Sequence, residues 1–445
     1  MNLKRLLKIL SDKNCKKVYV KRLASNDNSK NQIYLGGSFD VLNILPSGEI
    51  LEDKDGDRKK ETFKSKLDFH WIMEDGSSLI APSAQLILYP EYPEVRFSGF
   101  LKGCKYAPSD LLTSRTPNRL LFLAVSEDRK IYGFATGHDS ELANEFFSKK
   151  NLQIHGVFSI LTIADGKIIK DSKAILLNEL KRIHELNWIC SKRLKSIGVL
   201  VPCNASNCGG YTLEAELGIP SNSTAGPDFL GWEVKQFGVS NFEKFGSKSI
   251  TLMDHSPTDG YFSEKGAEAF IRKYGYKDKK GRMSRMNFGG THKYEIVHKL
   301  TSLQLIQQGF NPITKAFDLN GYVALIDDEK NLAAAWSFKS IIEHWKTKHP
   351  QACYVPSKIR KGSFGNCNQQ YSFGNKIFLG SFTDVSLFLN ELCSGNIFYD
   401  PGIKLELAIE GERGKEIKVR SLFRTKPTNL SSLYFENEIV DIDSI

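Results

Sequence analysis

The spacing of apolar residues changes character once, between Asp165 and Ser172, and this switch limits the chain to two differently built parts. Before it lie short extended runs broken by turns, KKVYVKRL, QIYLGG, SSLIAPSAQLILYP, NRLLFLAVSE and KIYGFATG, spaced as in a sheet or barrel. After it, SKAILLNELKRIHELNWICSKRL sets Ile175, Leu176, Leu180, Ile183, Leu186 and Ile189 along a helical stripe. The division predicted is 1–168 and 169–445, and because no Gly/Ser linker separates the two, they are expected to pack together. A length of 445 residues, at roughly 150 per domain, allows two large units or three smaller ones. No internal repeat or low-complexity tract supports an array architecture.

Local patterns refine the first part. Leu3, Leu6, Leu7 and Leu10 fall at helical spacing and predict a short amphipathic helix packed on the body, with an interfacial anchor as the alternative. Lys4, Arg5 and Lys8 interrupt the apolar core that a signal peptide would carry. Ile50 to Lys66 is dense in charge and predicts an exposed hairpin tip or loop, and Ser140 to Asn151 a short closing helix.

Composition excludes whole classes. Hydrophobic residues at 41% and charged residues at 25% are ordinary globular usage, so disorder and fibrous folds are set aside. No run reaches the roughly 18 to 20 apolar residues of a spanning helix, so the reading is a chain with no membrane partner. Lys plus Arg at 61 against Asp plus Glu at 51 leaves +10, with a pI near 9.0, which favours a polyanionic partner, nucleic acid first. The 8 cysteines are scattered without a CxxC pair. Cys203 and Cys208 lack a second pair or a nearby histidine, so unpaired thiols in a reducing cytoplasm are expected rather than zinc.

The segment GYTLEAELGIPSNSTAGPDFLGWEVKQFG, Gly210 to Gly238, carries the chemistry. Strand alternation over Trp232 to Phe237 puts Glu233 and Lys235 on one face and Val234 on the other. A hairpin or bend through Phe229 to Gly231, after Pro227, would bring Asp228 beside Glu233. Two carboxylates and an ammonium would then converge. Hard carboxylate oxygens hold magnesium, which neutralises charge building on a phosphodiester under attack, while Lys235 would orient or deprotonate the attacking water. A helix over Tyr211 to Gly218 would add Glu214 to the cleft and turn Glu216 elsewhere. Acid-x-lysine alone is also a common solvated strand edge. The Pro-Asp ahead of it and the Glu-bearing helix are what make the cluster informative.

These residues resemble the MvaI/BcnI restriction endonucleases, relatives of the mismatch-repair nickase MutH within the PD-(D/E)xK nuclease superfamily. The likeness runs from GYTLEAELGI and PDFLGWEVK through SITLMDHSPTDG, FIRKYGYKDKKGRMS and WSFKSIIEHW, most of residues 195–445. It implies Asp228, Glu233 and Lys235 as catalytic acid, acid and lysine, with Asp228 and Glu233 on Mg2+ and Glu214 assisting. VYVKRLASNDNSKNQIYL, Val18 to Leu35, resembles the start of the EcoRII N-terminal effector domain, a DNA-binding pseudobarrel. Together the two likenesses imply an α+β chain, an N-terminal β-pseudobarrel followed by a MutH/MvaI-like fold in which helices flank a mixed sheet.

In the pseudobarrel likeness, Lys21, Arg22 and Asn26 would lie on one DNA-gripping arm, and Lys102, Lys105, Arg115 and Arg119 are looser candidates for a second. For each of them a solvated surface charge or a plain phosphate contact stands ahead of base readout. In GERGKEIKVRSLFRTK, Arg424 matches a base-reading arginine of the resembling family, and Arg420 stands near an expected histidine. Lys404 and Glu406 depart from the family's acid and arginine, so its target sequence does not carry over. His255 and His292 are the histidines nearest the cleft, with a satisfied structural histidine as the alternative for each. No GxxxxGK[ST] phosphate loop occurs. The whole reading is a monomeric, cytoplasmic, magnesium-dependent type II (IIE-like) restriction endonuclease that nicks double-stranded DNA strand by strand. The alternatives are a partner-activated mismatch-repair nickase and a non-catalytic DNA-binding protein.

Overall fold

The computed structural model describes residues 1–445 except 26–31, 54–61, 91–93, 127, 150–151, 165–166, 169–171, 197, 206, 221–227, 244–245, 247, 280, 366 and 408–415. The chain is mixed α+β. None of its sheets takes strands from both sides of Ile168 among the described residues.

The first part holds two sheets. The larger has the order Gln153–His155, Phe158–Ala164, Cys15–Leu23, Arg119–Ser126, Ile131–Thr136, Phe69–Ile72, Ser78–Ile80, with Lys167–Ile168 added beside Phe158–Ala164. The smaller runs Ile33–Gly36, Glu94–Ser98, Gln85–Tyr89, Phe63–Lys66, Ile50–Glu52. Strand alternation sorts the side chains into two cores. Val18, Val20, Leu120 and Phe122 pack under helices Leu3–Asp12 and Glu141–Phe147, burying Leu3, Leu6, Leu7 and Leu10. Tyr19, Leu121 and Leu123 face the other way, into a core shared with Phe69 and Trp71 of the same sheet and with Phe63 and Phe97 of the smaller one. Asn2 caps the first helix by accepting from Arg5 N at 3.0 Å, and Ser140 caps the second from Ala143 N at 3.0 Å. The charged segment after Ile50 is flanked by an antiparallel pair, Ile50 opposite Ser65.

The second part is built on Gln351–Phe364, a 14-residue strand. It pairs antiparallel with Lys376–Ser381 and Cys367–Phe373, and parallel with Glu233–Gly238. Helices Ser172–Glu185 and Cys208–Glu216 cover one face through Leu176, Leu177, Leu180, Ile183 and Leu213, packed on Val234, Cys353 and Val355. Helices Phe338–Lys348 and Val385–Cys393 cover the other through Ile341, Trp345 and Phe388, packed near Ala352, Tyr354 and Phe378.

The helix of the second part is shorter than its stripe. It ends at Glu185, Ile175 and Leu186 are exposed, and Ile189 belongs to a strand. Asn187, at φ 58°, supplies the left-handed residue that stops it. Cysteine usage also corrects the expectation of eight free thiols. Cys190–Cys367 and Cys203–Cys208 are disulfides, each with Cα atoms 5.8 Å apart. The pairing of Ile189–Cys190 with Cys367–Phe373 closes the first. A five-residue separation closes the second onto the start of helix Cys208–Glu216. Cys15, Cys104, Cys353 and Cys393 are free.

The two parts share a continuous core, from Phe39 and Leu42 to Trp345 and Phe382. Asn43 Nδ2 donates to Thr383 O at 2.8 Å, and the His155 ring stacks on Phe382 with centroids 4.2 Å apart. Among the described residues no helix is long and apolar enough to cross a membrane.

Helix Cys208–Glu216 seats on the sheet because Gly209 has no side chain. A Cβ there would lie 2.6 Å from Gln236 Oε1 and 3.0 Å from Tyr371 Cε1, and Gln236 is held by Ser357 Oγ at 2.6 Å. Gly209→Val is therefore expected to cost about 1–3 kcal/mol by overpacking, read as a lowered urea midpoint at unchanged slope. A midpoint equal to that of the wild type would show that the helix is not seated this closely.

Candidate active site

The site begins with a two-residue turn. Phe229 N donates to Trp232 O at 2.9 Å and Trp232 N to Phe229 O at 2.8 Å, closing a hairpin over Leu230 and Gly231. Both turn residues have positive φ, 46° and 89°, the geometry whose twist matches that of paired strands. Glycine adopts it freely, whereas Leu230 does so against its own Cβ. Trp232 and Val234 anchor the back of the hairpin in the core. Pro227 lies outside the described residues.

The hairpin folds Asp228 onto the start of the strand, where its Oδ2 accepts from Val234 N at 2.9 Å. On the same face, Lys235 Nζ donates to Glu233 Oε1 at 3.0 Å. The second oxygen of Glu233, Oε2, is buried with no hydrogen-bond partner. A buried carboxylate oxygen without a donor is costly, so this one marks a position for an electropositive ligand.

The electrostatics agree with the geometry. Burial, then the charge of Glu233 and more weakly that of Glu214, push the Asp228 carboxyl up to about 7, against the Val234 N–H and Lys235. Burial pulls Lys235 down, but the charges of Glu233, Tyr354 and Asp228 together with the hydrogen bond to Glu233 outweigh it, and its pKa is raised. Lys235 is therefore a cation at neutral pH. An Asp228 carboxyl that holds its proton up to about 7, beside a Glu233 oxygen that has no donor, fits a hard divalent ion taking the place of that proton. No group of three or more His, Cys, Asp or Glu forms a metal cage among the described residues. Magnesium does not require one, since it keeps several waters and binds through one or two carboxylates.

Glu214, on Cys208–Glu216, acts on Asp228 through its charge. Glu216 faces away, paired with Lys192 at 2.5 Å and Arg182 at 3.6 Å. Sequence reasoning missed Tyr354, opposite Lys235 in the parallel pairing, whose hydroxyl meets that of Tyr434 at 2.9 Å. No local pattern near Lys235 signals either tyrosine.

The DNA-contact candidates do not gather at this hairpin. Arg22, Lys102, Lys105, Arg115 and Arg420 are exposed. Arg22 lies 4.9 Å over the Phe147 ring and Lys105 5.6 Å over Tyr106. Lys21 is 9% exposed and lines a cavity of about 310 Å³ with Gln32, Tyr34 and Arg96. Asn26 lies outside the described residues. Arg119 requires correction: it is 2% exposed, and Nε, Nη1 and Nη2 donate to the carbonyls of Thr116, Leu111 and Ala24. It ties three stretches of backbone together at the wall of the cavity that Lys21 also lines. His292 is likewise a core residue, 0% exposed. Its ring nitrogens sit 2.9 Å from Gly290 O and 2.9 Å from Thr301 Oγ1, and burial, then His298, hold it down at about 3. Burial and His344 hold His255 at about 4, with Nε2 3.1 Å from Ser340 Oγ. Arg424 is engaged by Asp400 Oδ2 at 2.7 Å and Thr251 Oγ1 at 3.2 Å. Lys404 is exposed, and Glu406 pairs with Arg285 at 3.3 Å.

A model of the MvaI/BcnI restriction endonuclease family matches residues 177–434, more than half of the chain. Solved structures of restriction endonuclease MvaI are similar. The complex with cognate DNA substrate aligns at 16% identity and TM-score 0.45, over 61% of this chain and 99% of that one. The form in the absence of DNA aligns at 16% identity and TM-score 0.33, over 62% and 99%. No match was found among curated protein sequences.

The raised Asp228 value fixes a sign for stability. The folded carboxyl binds its proton more tightly than the unfolded one, so its contribution is intact in acid and is lost as pH rises from about 4 through about 7. Asp228→Asn removes that loss. In the presence of EDTA, its melting temperature is expected to match the wild type near pH 4 and to exceed it increasingly up to pH 7–8. A constant difference across that range would contradict the shift.

Proposed function

Because this chain belongs to the MvaI/BcnI restriction endonuclease family, we propose that it hydrolyses phosphodiester bonds of double-stranded DNA at a specific sequence, as a metal-dependent type II (IIE-like) restriction endonuclease. The observation that carries this reading is the meeting of Asp228, Glu233 and a charged Lys235 at one hairpin inside the matched span, with Glu233 Oε2 lacking any donor. Asp228 and Glu233 would hold Mg2+. The bound ion supplies charge neutralisation at the scissile phosphate and a lowered pKa for the attacking water. Lys235, held by Glu233 as a cation, would orient the attacking oxygen in line with the leaving 3'-oxygen, the proton that the water sheds passing through solvent and the leaving oxygen being capped by one from solvent. On holding the ion, Asp228 would give up the proton that it otherwise keeps up to about pH 7. Cleavage leaves 5'-phosphate and 3'-hydroxyl ends.

One such site cuts one strand, so a monomer would open a duplex by two successive nicks. In this reading residues 169–445 form the catalytic unit and residues 1–168 an EcoRII-N-like effector unit that grips a further copy of the target. Arg22, Lys102, Lys105 and Arg115 are the exposed cations that would reach its phosphates. On the catalytic side, exposed Arg420 remains a candidate for base contact.

Two outcomes test this. Glu233→Gln and Lys235→Ala should each lower magnesium-dependent plasmid cleavage on the order of 10²–10³-fold, while DNA affinity in calcium is retained. Cleavage by either variant at the wild-type rate would remove the assignment. Independently, Arg22→Ala should weaken binding to all sequences alike and make the slope of log affinity against log salt shallower by roughly 1; an unchanged slope would place Arg22 off the DNA.

A further inference from the structure

Lys17 stands on strand Cys15–Leu23 of the first part, about two hundred residues before the catalytic hairpin, yet its side chain ends there. A Cβ placed on Gly231 would lie 2.5 Å from Lys17 Cε and 2.6 Å from Nζ. The lysine stem is therefore laid against the bare backbone of the turn. Its ammonium donates to Gln351 Oε1. Gln351 is 5% exposed and directly precedes Ala352, the residue paired with Glu233. One side chain thus touches the tip of the hairpin and ties to the strand that registers its acid.

Its surroundings are those of a group kept for position. Lys17 has no ion pair among the described residues, and burial alone brings its pKa down to about 8. Lys17 is half-buried, and an ammonium that has given up part of its water without gaining a counter-charge carries a cost that a methionine along the same path would not. Tyr19, next on the same strand face, is buried in the core the two parts share, so the lysine is delivered from a fixed base.

We propose that Lys17 is a positioning residue for the active site, supplied by the N-terminal part, which holds the Phe229–Trp232 turn so that Asp228 and Glu233 remain together. This rests on the nuclease reading above. It means the catalytic cluster is complete only when the strand Cys15–Leu23 is docked. Lys17 touches no reacting atom. Its effect belongs in the rate of the bond-breaking step and not in the hold on DNA.

The test uses the full chain, a plasmid carrying the mapped target, and magnesium. Lys17→Met keeps the stem and removes the charge and the donor. Its single-turnover rate is expected to fall on the order of 10- to 100-fold, with DNA affinity in calcium unchanged, and Lys17→Arg should restore most of the rate. Gln351→Leu, which removes the acceptor and leaves Lys17 in place, should lower the rate in the same direction. Wild-type rates for Lys17→Met, or no rescue by arginine, overturn the proposal and leave the nuclease reading intact. Equal losses in rate and affinity, or failure of both Lys17→Met and Gln351→Leu to melt cooperatively, identify a merely structural contact and also overturn it. A wild-type protein that cuts no DNA under any magnesium condition takes down the nuclease reading and this proposal together.

Discussion

The Glu233 carboxylate is the constraint around which the second part is organised. One oxygen is neutralised by Lys235, the other is sealed in without a donor, and Asp228 is pressed close enough to be driven toward neutrality. Water would relieve all of this, and the packing denies it. Trp232 and Val234 bury the back of the hairpin, Gly209 lets a helix close in, and Tyr354 and Tyr434 fill the space beyond Lys235. The protein spends stability here on a local electrostatic frustration that a cation would relieve, as expected where strain and function coincide.

Much of this site was readable because its parts are close in sequence. Asp228, Leu230, Gly231, Glu233 and Lys235 fall within eight consecutive positions, and strand alternation with a two-residue turn is enough to fold such a stretch on itself. The N-terminal helix was legible for the same reason, since Leu3, Leu6, Leu7 and Leu10 state one buried face unaided. Periodicity failed where tertiary context decided the end of an element: Ile175 and Leu186 fit the helical stripe but meet solvent.

What was not legible comes from pairings distant in the chain. Tyr354 gains its place beside Lys235 only through a parallel strand register, and Lys17 only through docking of the first part. Arg119 and His292 show the converse. Their residue types suit nucleic-acid contact, but Arg119 is buried with three of its five donors on carbonyls, and His292 has both ring nitrogens on Gly290 and Thr301. A composition-level excess of positive charge cannot tell such inward-facing groups from Arg22 or Lys102, which are exposed.

The stacking of His155 on Phe382 and the core running from Phe39 to Trp345 have an implication for how such a chain is assembled. The halves are not beads on a string, because each completes the apolar interior of the other. Severing them near the change in periodicity would bare oily surface on both fragments. The chain should therefore behave in folding as one cooperative object, and recombination that swaps its front half must reinvent the seam as well as the binding specificity.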